Sequence, residues 1–75
     1  MEIIKTFFKN IDKEDIDENT QNLVSNGLID SIDIIGLVSQ IEEYYKKPLD
    51  ADFIEIEHFE SMSAIKDMIE KWQNL

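Results

Sequence analysis

Ser31 is the residue in this sequence best placed to take part in chemistry. It stands in Gly27-Leu28-Ile29-Asp30-Ser31-Ile32-Asp33, where a loop containing Asn and Gly gives way to the longest apolar-periodic run. Asp30 and Ser31 are both of the types that accept backbone N–H bonds at a helix start, so either could be the cap. In both cases the serine hydroxyl falls at the positive end of a helix of about four turns. Unpaired N–H groups and the macrodipole favour an anion there, so a phosphate ester is tolerated, although Asp30 and Asp33 oppose it. As a nucleophile in its own right the serine is poorly served. It needs an adjacent base, its neighbours are acidic, and the only histidine, His58, belongs to a segment just before the last helix. Gly27-Leu28-Ile29-Asp30-Ser31 is also not the Gly-x-Ser-x-Gly elbow of a hydrolase. These residues leave open whether Ser31 is only a cap or also an attachment point.

Other chemistries find less support. The acidic run from Asp12 to Asn22 raises the question of a calcium loop, but no glycine stands at its sixth position and no glutamate at its twelfth. It reads as a solvated connector pinned by Ile16. There is no cysteine for a disulfide or thiolate site, and one histidine makes neither a metal site nor a full relay. A metal is therefore not expected. A formal charge of −10 on 75 residues repels nucleic acid and anionic membranes and steers the protein toward basic surfaces. No apolar segment reaches membrane-spanning length, and Lys5 and Lys9 interrupt the first apolar stretch, so a cytoplasmic monomer is expected.

The elements that must position Ser31 follow from periodicity. Ile4, Phe7, Phe8 and Ile11 fall at i, i+3, i+4 and i+7, which predicts a short amphipathic first helix ending near Asn10 to Asp12. Leu23, Val24 and Leu28 read as anchors holding a long loop to the core, with a turn at Asn26-Gly27. The central helix is expected from about Ile32 to Tyr45 or Lys46, ended by Pro48, with a buried stripe of Ile34, Leu37, Val38, Ile41 and Tyr45. Ile32 and Ile35 point the other way, with Gly36, Ser39 and Glu43. Flanked by Asp33, Glu42 and Glu43, they make an apolar centre with an acidic rim beside Ser31. That patch is either ordinary surface or a docking face for an apolar and basic partner. Gly36 costs about 1 kcal/mol against alanine in mid-helix, which is consistent with an unconstrained surface position or with close approach by a partner.

Residues 50–59 are the least readable. Leu49, Phe53, Ile56 and Phe59 suggest a short helical turn on the core; alternation around Ile54, Ile56 and His58 suggests a strand, but nothing else alternates to pair with it. A short, poorly regular helix is preferred. The last helix begins at Ser61, with Met62, Ile65, Met68, Ile69 and Trp72 on its apolar face. One all-α domain over residues 1–75 results, with three main helices and one short one in a four-helix bundle.

Across nearly this whole length the sequence resembles the acyl carrier proteins of the acyl/peptidyl carrier superfamily. The centre of the likeness is Gly27-Leu28-Ile29-Asp30-Ser31-Ile32, similar to the family's glycine, aspartate, serine and leucine attachment motif, and it extends to the Ser-Ala-Ile pattern at Ser63, Ala64, Ile65 and Ile69. The resemblance implies a stand-alone, acyl-carrier-like fold and a carrier rather than an enzyme. Ser31 would bear covalent 4′-phosphopantetheine, added by a phosphopantetheinyl transferase, and hold an acyl or aminoacyl thioester. Asp30 matches the aspartate that helps place magnesium in the transferase complex. Carried over by position, Ile32, Asp33, Ile35, Gly36, Ser39, Glu42 and Glu43 would meet the transferase and the loading and acceptor enzymes through their basic surfaces. Gly36 stands where fatty-acid carriers usually have glutamate, and Glu57-His58-Phe59 looks more like carriers of secondary or cell-surface pathways. Two rivals stand beside this expectation: a carrier-fold interaction module with no prosthetic group, and a small hydrolase using Ser31 with His58.

Overall fold

The computed structural model describes residues 2–75, and its order is helix, long loop, helix, two short 3-10 turns, helix. Helix α1 spans Glu2–Asn10 and buries Ile4, Phe7 and Phe8, the stripe its spacing predicts. It ends where the chain turns back on it: Lys13 N–H donates to Phe8 O at 2.9 Å, and Asp12 takes a positive φ of 62°. Helix α2 spans Ser31–Tyr45 and buries Leu37 and Ile41, with Ile34, Val38 and Tyr45 half-buried against the core. It stops at Lys46, a left-handed C-cap, two residues before Pro48. Helix α3 spans Met62–Gln73. Ser61 is its N-cap, accepting Ala64 N–H at 3.0 Å, and Met62, Ile65, Met68, Ile69 and Trp72 are buried. None of the helices described is long and apolar enough to cross a membrane.

The three helices share one core, closed at the C-terminal end of α2 by aromatic edges. Phe7 meets Tyr44 at 5.9 Å, Tyr44 meets Tyr45 at 4.9 Å and Tyr45 meets Trp72 at 5.6 Å, all near perpendicular. Such edge-to-face pairs add specific attraction to the burial itself. Lys47 lies 4.7 Å from the Trp72 ring centroid, tying the end of α2 to α3. Ser31 is at the opposite end of α2, about 20 Å away at 1.5 Å per residue.

The segment that periodicity could not resolve holds two 3-10 turns, Ala51–Phe53 and Ile56–Phe59, and no strand occurs among the described residues. Leu49 and Phe59 are buried and Phe53 half-buried, as expected. Ile56 is a correction: it stands 60% exposed at the start of its 3-10 turn, and of that turn only Phe59, at its end, is buried in the core. A second correction lies in the long loop. Leu23 is buried and Val24 half-buried, but Leu28 is 40% exposed, and the inward anchor is its neighbour Ile29. The reason is a tight turn. Leu28 and Ile29 N–H both donate to Leu23 O, at 2.8 and 3.1 Å, and Gly27 at φ 72° lets the chain reverse, leaving Leu28 outside.

Candidate functional site

The backbone resolves which residue caps α2. Asp30 is extended (φ −118°, ψ −172°), and its Oδ1 accepts Asp33 N–H at 3.0 Å while Asp33 Oδ2 accepts Asp30 N–H at 3.2 Å. This reciprocal pair is a capping box with aspartate in both side-chain positions. Ser31 is therefore the first helical residue. Its side chain is exposed, and the cap does not use its hydroxyl.

The charge around that hydroxyl is set by several groups. The N–H of Asp33, with that of Ile32 adding to it, holds the Asp30 carboxyl below the usual carboxylate range. Lys13, from the turn after α1, places its Nζ 3.6 Å from Asp33 Oδ2. The positive helix end and Lys13 thus partly offset the two aspartates that oppose an anion at Ser31. A serine ester carrying a phosphate fits this setting: an exposed oxygen on the first helical turn, with a lysine brought toward the adjoining carboxylates.

The seven residues expected on a docking face divide in two. Ile32 and Ile35 are 75% and 66% exposed, and Ser39 and Glu43 are exposed beside them. The other three are engaged within the chain. Asp33 belongs to the capping box and the ion pair, and Glu42 Oε2 accepts Leu49 N–H at 2.8 Å, holding the chain after α2. Gly36 is half-buried, and a Cβ there would come within 3.0 Å of Ile11 Cγ2. The close approach that Gly36 allows is made by Ile11 of the same chain.

His58 sits half-buried on the second 3-10 turn, its ring 6.1 Å from that of Phe53. No group of three or more His, Asp or Glu side chains suited to a metal ion occurs among the described residues. Helical periodicity missed Ile29 and the neighbour of Gly36, because both depend on how the irregular loops cross the helices. The capping box did leave a signal, an aspartate pair at Asp30 and Asp33, the spacing of a cap and its third helical residue.

Comparison with known families matches residues 1–69 to the model described as a phosphopantetheine attachment site. No curated protein and no solved structure matches the chain.

Proposed function

The chain belongs to the phosphopantetheine attachment site family, non-catalytic carriers of a covalently attached 4′-phosphopantetheine, and on that premise we propose that Ser31 is the residue that bears the group. The observation that supports this most is the division of labour at the start of α2. Asp30 supplies the cap, so the hydroxyl of Ser31 stays exposed and unspent while its backbone is fixed on the first helical turn. The all-helical architecture agrees with the fold of these carriers.

When bound, the group supplies a thiol that this cysteine-free chain lacks, on which a carboxylic acid is held as a thioester. The protein's own residues fix the attachment point and present a surface. In this reading the whole of residues 1–75 is one carrier unit, working in the cytoplasm as a monomer. Ile32, Ile35, Ser39 and Glu43 form the open part of the surface that meets the phosphopantetheinyl transferase and the loading and acceptor enzymes. An exposed apolar pair with a carboxylate beside it, on a chain of net charge −10, is complementary to apolar and basic ground on those partners. Its cargo is an acyl or aminoacyl group, presented to pathway enzymes by tethering, which raises local concentration.

Incubation with coenzyme A and a phosphopantetheinyl transferase, read by intact mass, tests the proposal. One added phosphopantetheine on the wild type, absent from Ser31→Ala, is expected. A wild type that stays unmodified favours the carrier-fold interaction module instead.

A further inference from the structure

Residues 22–29 have no regular secondary structure, yet they deliver Asp30 and Ser31 to the start of α2. A loop of this kind is placed by a few tertiary bonds, and here those bonds converge on one residue from the other end of the chain. The carboxylate of Glu60 accepts from three donors at once: Val24 N–H at 2.8 Å and Ser25 N–H at 3.0 Å on Oε1, and the Ser25 hydroxyl on Oε2. The backbone oxygen of Glu60 takes a fourth, Leu23 N–H, at 2.9 Å. Leu23 O in turn accepts from Leu28 and Ile29, so hydrogen bonds run from Glu60 through the loop to the residue preceding Asp30.

Glu60 is itself firmly based. It lies between Phe59, which is buried, and Ser61, the buried N-cap of α3, followed by the buried Met62. The loop partners of the carboxylate, Val24 and Ser25, are half-buried and exposed, so their N–H groups would turn to water if it were lost. That makes the contribution one of loop geometry more than of overall stability. The contacts also hold the Glu60 carboxyl below its ordinary range, the Ser25 hydroxyl contributing most and the two backbone N–H groups after it.

We propose that Glu60 is a positioning residue for Ser31, a carboxylate latch that holds the 22–29 loop so that the attachment serine meets a modifying enzyme in one geometry. The inference rests on the reading of Ser31 as the attachment point. With the latch open, fewer carriers are competent to bind at any moment, which raises KM for the transferase and leaves kcat nearly unchanged. Glutamine keeps the acceptor for both backbone N–H groups and offers an amide to the Ser25 oxygen, so it largely restores the latch.

The test uses the protein before modification, as wild type, Glu60→Gln and Glu60→Ala. Amide hydrogen exchange is read by NMR, and kcat and KM are measured with coenzyme A and the transferase. For Glu60→Ala the expectation is exchange about tenfold faster at Val24 and Ser25, with Leu37 and Ile41 unchanged, and KM several-fold higher at constant kcat. Glu60→Gln stays close to wild type in both. Wild-type exchange and KM in Glu60→Ala would overturn the latch, and so would uniform acceleration of core and loop amides together. A wild type that gains no arm overturns the reading of Ser31 by itself, whatever the variants show.

Discussion

Asp30 decides what Ser31 is free to do. A serine that capped its own helix would have its oxygen turned to a backbone N–H; with the preceding aspartate in that role, the oxygen is left to solvent on a rigid turn. The carboxyl of Asp30 is held low, chiefly by Asp33 N–H, which fixes the sign of its pH dependence. A group depressed in the folded state contributes fully above its unfolded value, about 3.9, and loses that contribution as pH falls through the lower folded value. The first turn of α2 should therefore keep its protection from pH 7 down to about 4 and lose it only below. An Asp30→Asn variant, which retains an acceptor without the titration, should show a flatter profile for exchange at Asp33 N–H. Sequence left Asp30 and Ser31 as equal candidates for the cap because both types accept N–H bonds. Only the extended backbone at Asp30 separates them.

At the scale of the helix, α2 serves two masters. Its inward stripe was legible from the 3.6-residue period, as were the outward-facing Ile32 and Ile35. The period does not say what crosses the helix elsewhere. Asp33, Gly36 and Glu42 lie within the expected surface patch, yet each meets another part of the chain: Lys13, Ile11 and Leu49. Gly36→Ala gains about 1 kcal/mol of helix propensity but brings a methyl to within 3.0 Å of Ile11 Cγ2. The two effects separate in a double-mutant cycle. In an Ile11→Ala background the clash is gone, so Gly36→Ala should be more favourable there than in the wild type, by about 0.5–1 kcal/mol in urea denaturation. Equal effects in both backgrounds would mean that Ile11 yields freely. The irregular, short-helix character of residues 51–59 is legible in the sequence but the exposure of Ile56 is not, since apolar spacing alone does not say how a single short turn is seated on the core.

The molecule as a whole rests on a small core, with Phe8 and Phe59 among its fully buried side chains and Trp72 closing the aromatic end. A chain of 75 residues at 0.05–0.15 kcal/mol per residue has about 4–11 kcal/mol of stability in total. Phe8→Ala, which removes a ring with no solvent exposure, should cost about 3–5 kcal/mol, a large part of that sum, read as a lowered urea midpoint. A cost below 1 kcal/mol would show a looser core than the packing indicates. The three helices and most of the core were readable because amphipathic stripes repeat along the chain. The loop anchor Ile29 and the grip of Glu60 on Val24 and Ser25 were not, since no period links residues some 35 positions apart. Whether Ser31 carries the arm turns on a single oxygen, and it is read from the intact mass of the protein after reaction with coenzyme A and a phosphopantetheinyl transferase, followed by peptide mapping. The prediction is one phosphopantetheine per chain, on the peptide containing Ser31, and none on Ser31→Ala; an unmodified wild type, or an arm that persists in Ser31→Ala, would contradict it.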